Sequence, residues 1–231
     1  MRCFNGKSTY TRGKAKSEIL LRPYWSICNS MALLVGDESG LQRHVNNAPN
    51  ANVQYIYELD DEVVSGLEAK HAELKLGENI KIIHDNLFLH DFEKNPVDGI
   101  DFDSQLTIRT YMSMDHTLTL DPLFKYAKKV VAVTCTSRDN RGVYGLRTYF
   151  GINNWETTNI VFEAFKKRYI DYSFQVFPYR GVGHTPMYHV VGVRKQFVND
   201  VPKLGLRENH IFNRLCSKKD LEINKILGIP E

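Results

Sequence analysis

Apolar residues recur along the chain in two rhythms. Short runs rich in β-branched and aromatic residues stand at 31–35, 53–57, 80–88 (a strand and its loop), 97–103, 130–136, 172–177 and 187–193. Between these, apolar positions take the three-and-four spacing of an amphipathic helix. That spacing predicts helices over 17–31 (disturbed by Pro23), 40–46, 60–74, 121–129 and 155–169. The helix at 60–74 opens on acids, where the helix dipole favours them, and the one at 121–129 opens on Asp-Pro. Strands alternating with helices imply right-handed βαβ crossovers and a parallel sheet. The last two strands have only "PYRGVGHTP" between them, so they are expected to form an antiparallel hairpin at one edge. The expected fold is α/β: a doubly wound, mostly parallel seven-stranded sheet with helices on both faces and an antiparallel C-terminal hairpin. Residues 1–30 are expected as a basic arm and helix, 31–197 as the main domain and 198–231 as a helical appendage. Two short helices are predicted within 208–231, Ser217 and Asp220 forming a capping box.

Composition refines this picture only a little. A length of 231 residues with 42% hydrophobic suits one domain with a sizeable core. No apolar run approaches the roughly 20 residues of a membrane span. The N-terminus has no apolar secretory segment, and the four cysteines, Cys3, Cys28, Cys135 and Cys216, form no close pair. Reduced thiols and a cytoplasmic location are expected. The net charge of +3 is mild, but residues 1–16 concentrate Arg2, Lys7, Arg12, Lys14 and Lys16 with no acid before Glu18. Such an arm can track the phosphates of RNA or DNA, or be a solvated tail. "GKST" at 6–9 ends like a P-loop, but Met1 stands where its first glycine is needed, so ATP binding there is rejected.

The candidate chemistry begins at "ALLVGDESGLQ", 32–42, where an apolar run enters Gly36 and Gly40 follows. This is a nucleotide-cofactor loop or a plain turn between strand and helix; Glu38 stands where a third glycine is common. Glu58, in "YELDDEVV" (57–64), ends the second predicted strand about 20 residues farther on. A carboxylate there can accept both hydroxyls of a ribose. Asp60 suits a helix cap. His84 and His90 flank the third strand's loop without a further ligand cluster, so they are read as polar loop residues and no metal site is expected.

The loop, the acid and the terminal hairpin, in this order, resemble the class I (Rossmann-like) S-adenosylmethionine (SAM) dependent methyltransferase superfamily over roughly residues 31–195. Ser39-Gly40-Leu41 adds a loose likeness to the tRNA guanine dimethyltransferases, whose loop has a small hydroxyl residue before its last glycine. The resemblance implies a SAM cofactor. Gly36, Asp37, Ser39 and Gly40 would pass under its methionine part, with Glu58 and Leu59 at the ribose. In "IIHDNLF", Asp85 would accept from the adenine amino group, with the Asn86 N–H facing the ring. Asp103 matches the strand-end residue that accepts from the target amine in amino-methylating relatives, although Ser104 and Gln105 replace their two prolines. The function implied is a SAM-dependent methyltransferase acting on RNA or DNA. A small-molecule methyltransferase and a non-catalytic scaffold or SAM-binding partner are the alternatives. A NAD-dependent oxidoreductase is disfavoured by the loop and the hairpin. Residues 179–186 either line the substrate mouth or form a long turn.

Overall fold

A computed structural model describes residues 12–107, 120–136, 140–153, 155–180 and 186–203. Seven strands form one sheet: β1 (Ser30–Leu34), β2 (Val53–Glu58), β3 (Ile80–His84), β4 (Gly99–Thr107), β5 (Val130–Thr136), β6 (Tyr172–Arg180) and β7 (Pro186–Arg194). Their order is β3-β2-β1-β4-β5-β7-β6. The first five are mutually parallel; β7 runs antiparallel between β5 and β6. The expected sheet and its terminal hairpin are both present.

Period-2 alternation assigns the strand residues to two cores. Ile100 and Phe102 of β4 and Val131 and Val133 of β5 face one apolar layer. It is completed by α5 (Asp121–Tyr126), α6 (Asn140–Tyr149) and α7 (Thr157–Arg168), through Phe124, Leu146 and Phe165. Val130 and Ala132, one residue out of phase, face the other layer with Leu33 and Ile56. There they meet α1 (Arg12–Leu20), α2 (Arg22–Trp25), α3 (Glu38–Asn47) and α4 (Asp61–Glu73) through Leu20, Trp25, Leu41 and Leu67. Full burial of each such side chain contributes about 1.5–3 kcal/mol.

Four expectations are corrected. The helix expected over 17–31 is two helices, α1 and α2, because Pro23 stands at the start of α2, where it lacks the N–H a helix interior needs. Residues 12–16 belong to α1, so the arm is not loose there; residues 1–11 lie outside the described residues. β4 runs on to Thr107 with a register shift after Asp103. Helix α6, not expected, forms despite Gly142 and Gly145, each of which costs about 1 kcal/mol in a helix interior. Burial of Leu146 anchors it. The capping box and helices expected in 208–231, the "GKST" segment and most of the 179–186 loop lie outside the described residues.

Candidate functional site

The sheet order reverses at β1. From this strand the chain goes to β2 and β3 on one side, then returns to β4 and β5 on the other. Loops leaving the carboxyl ends of β1 and β4 therefore diverge, and a crevice opens between them. The residues expected to bind a cofactor stand along this edge. Gly36 follows β1, Glu58 ends β2 and pairs in register with His84, and Asp85 follows β3. Neighbouring strands lie about 4.8 Å apart, so the three positions span two strand spacings.

The glycine turn has a defined construction. Gly36 has φ +74°, and a β-carbon there would meet nothing within 4 Å, so the backbone borders open space. Gly40 has no such freedom: its β-carbon would lie 2.0 Å from the Val35 carbonyl oxygen. Asp37 is the N-cap of α3, its Oδ1 accepting from the Gly40 N–H at 2.6 Å and from Ser39 Oγ at 2.8 Å. Arg43 donates to Ser39 Oγ at 2.7 Å and to Glu18 at 2.9 Å. A chain of hydrogen bonds thus ties the turn to α1. Glu38 leans over α4, its Oε1 2.0 Å from where a β-carbon on Gly66 would sit. Asp37 is thereby engaged by the protein itself, and Glu38 lies against Gly66 of α4.

Glu58 Oε1 accepts from the backbone N–H groups of Leu59, at 2.7 Å, and Asp60, at 3.2 Å. Asp60 caps α4, accepting from Glu62 and Val63. Leu59 is 55% exposed, an apolar side chain left open beside the β2 end. Asp85 is exposed and accepts from the Asn86 N–H at 2.7 Å, so that N–H, expected to face a ring, is already engaged. Asn86 caps the short 3-10 turn that follows. His84 is exposed, but His90 is not a loop-surface residue: it is buried, meets the Tyr57 hydroxyl through Nδ1 and contacts the Asn95 carbonyl through Nε2. Among the described residues no group of three or more histidines, cysteines and acids is placed to hold a metal ion.

Asp103 is not open to an acceptor. Its carboxylate pairs with Lys14 of α1 at 2.5 Å, each side chain being 16% exposed. Around this pair lies a cluster of charged and polar groups that sequence reasoning missed. Asp101, two residues earlier on the same strand face, has His44 Nδ1 at 3.8 Å. Glu18, His189 and Thr134 complete the surroundings of the two aspartates. Glu18, His44 and the two aspartates line a small cavity of about 20 Å³, room for a single water. Burial pushes the Asp103 carboxyl up, but Lys14, His189 and the Thr134 hydrogen bond more than offset this and hold it below the usual range. At Asp101 burial, then the charges of Asp103 and Glu18, outweigh the pull of Lys14 and raise it well above a normal carboxyl. The visible signal was the spacing: Asp101 and Asp103 alternate with apolar residues, so one face of β4 carries two acids.

Burial lowers His44 and His189 from 6.5 to about 4. The unfolded chain therefore takes up a proton at each near pH 6.5, the folded chain only near 4. Their contribution to stability is complete above about pH 6.5 and is lost as pH falls towards 4. Glu18 and Asp101, raised in the fold, act in the opposite sense over the acid range. Replacing His189 isolates one histidine's share. In urea unfolding at a series of pH values, His189→Gln is expected to flatten the fall in stability between pH 6.5 and 4; an unchanged slope would exclude a titrating His189.

No protein-family model matches this sequence, and no curated protein matches it by sequence. Solved structures match in fold. Trm1 from Pyrococcus horikoshii, in complex with SAM, superposes with TM-score 0.56 at 12% identity, over 84% of this chain and 58% of that one. Magnesium protoporphyrin IX methyltransferase from Synechocystis PCC 6803, with bound SAM, gives TM-score 0.53 at 10% identity, over 79% of this chain and 78% of that one. Precorrin-6y C5,15-methyltransferase from Geobacter metallireducens GS-15 gives 0.52 at 11% identity, over 82% and 92%. In sheet order, in the antiparallel β7 and in these likenesses, the chain has the class I, Rossmann-like fold of the SAM-dependent methyltransferases.

Proposed function

We propose that this chain binds SAM in the crevice at the carboxyl edge of β1 and β2 and transfers its methyl group to a nucleic acid. The observation that carries the cofactor half is the open, positive-φ Gly36 turn at the topological switch point, with Glu58 on the neighbouring strand end. The residues fit the cofactor. Two backbone N–H groups hold Glu58 in place and leave its second oxygen, Oε2, for a ribose. Asp37 and Glu38 are turned onto Gly40 and Gly66, so neither carboxylate need oppose the cofactor's own. Leu59 offers apolar contact beside the sugar. Two of the structural relatives are described with SAM bound.

Bound SAM supplies an already activated methyl on a sulfonium, so the protein's task is alignment more than proton transfer. Asp103 can hold an acceptor amine only if Lys14 leaves it. The nucleic-acid half is supported by Arg2, Lys7, Arg12 and Lys16, Lys14 being taken up by Asp103, and by the putative rRNA-methylase from Clostridium thermocellum among the structural relatives, TM-score 0.50 at 12% identity. Incubation with methyl-labelled SAM and a panel of RNA, DNA and small amines tests it. Label is expected in the nucleic-acid fraction. Label only in a small acceptor would overturn that half, and no transfer to any acceptor would leave a scaffold or SAM-binding partner.

A further inference from the structure

Helix α6 starts four residues beyond the carboxyl end of β5, on the edge of the sheet that carries the crevice. It and the loop after it present aromatic side chains to solvent. Trp155 is 68% exposed, Tyr149 53% and Tyr144 44%. The guanidinium of Arg147 lies over the Trp155 ring, 3.4 Å from its centroid, and the Tyr144 ring stands 6.1 Å from Trp155. Among the described residues no carboxylate pairs with Arg147, and its buried Nε has no hydrogen-bond partner. The support beneath is fixed. Leu146 and Ile152 are buried in the core, and Lys167 of α7 donates to the Phe150 carbonyl at 2.6 Å, holding the loop down.

Charge selects among possible occupants. Residues 140–168 contain five arginines and lysines against two acids, Glu156 and Glu163, and four of their aromatics lie within 140–155. A protein-binding aromatic patch needs no such excess of positive charge. Lys166 and Arg168 pair with Glu163 and Asp121, and Lys167 donates to backbone carbonyls, so Arg147 is the cation free of a described carboxylate at the rings. Exposed rings beside such a guanidinium suit bases that stack while a phosphate passes Arg147. We infer that the α6 surface, Tyr144, Arg147, Tyr149 and Trp155, is a stacking platform for single-stranded nucleic acid. This deepens the nucleic-acid half of the function proposed above and rests on it. The platform would hold a strand whose neighbouring nucleotides reach the crevice.

The two tryptophans make the test direct, because Trp25 is fully buried and Trp155 is the one in contact with solvent. The full chain is titrated at low salt with an eight-nucleotide oligouridine, reading tryptophan fluorescence, and separately with the fluorescein-labelled oligomer, reading anisotropy. Saturable quenching is expected in the wild type. In anisotropy, Trp155→Ala is expected to weaken binding about 5- to 100-fold, the range for loss of one base–aromatic stack, and Tyr144→Ala to weaken it as well. Both changes are at exposed positions, and SAM affinity measured on the same samples should not move. Oligomer affinity unchanged in both variants overturns the platform. So does a wild type that binds SAM but not the oligomer, or a Trp155→Ala variant that alters only self-association in sedimentation. A chain that binds the oligomer through Trp155 but never SAM keeps the platform and refutes the cofactor half of the proposed function.

Discussion

Asp103→Ala is expected to lower the unfolding free energy by about 2–4 kcal/mol, because it takes the ion-pair carboxylate from the Lys14 ammonium in a largely dry site and leaves it the charge of Glu18. Breaking a fully buried pair costs about 3–5 kcal/mol. The lower range follows from the 16% exposure each partner keeps, and from the position of Lys14 near the start of α1, where the helix can fray. The loss should reach beyond one pair. α1 also contributes Glu18 to the hydrogen-bond chain through Arg43 and Ser39 to Asp37, so loosening α1 loosens the glycine turn. Urea unfolding measures the stability, and limited proteolysis near α1 reports the fraying. Lys14→Met with Asp103→Leu, which removes both charges together, is expected to recover most of the loss. If Asp103 were instead an open carboxylate waiting for an acceptor, Asp103→Ala would be neutral or stabilising.

The same residues mark how far the sequence could be read. Strand periodicity located the sheet, and the missing helix between β6 and β7 announced the hairpin, because both are local patterns. The positions of Gly36, Glu58 and Asp85 along one edge followed from those strand ends. What stayed hidden depends on contacts distant in sequence. Lys14 reads as one charge of a basic arm until α1 packs on the sheet and brings it to Asp103, 89 positions later. His189 and His44 look like ordinary surface histidines, yet β7 and α3 bury them near the two aspartates. Helix α6 was masked by its two glycines and is held by tertiary burial of Leu146, which local propensity does not register.

Glu58→Ala is expected to abolish measurable SAM binding without unfolding the protein. The carboxylate's recorded contacts are the two N–H groups just after it, in a turn that water can satisfy once the side chain is gone. Two hydrogen bonds from ribose hydroxyls to a carboxylate contribute about 1.5–3 kcal/mol each, so their loss weakens binding by about 100-fold or more. Asp60, which caps α4, is the matched control: Asp60→Ala removes about 1 kcal/mol of helix stability and should leave most of the affinity.

Calorimetric titration of the folded wild-type chain with SAM and with S-adenosylhomocysteine, Glu58→Ala alongside, decides between a cofactor site and a plain turn between strand and helix. Saturable one-to-one binding by the wild type, lost in Glu58→Ala, is the expected result. A folded wild type that binds neither compound, with nucleic acid present as well as absent, would contradict it and leave the glycine turn as architecture alone.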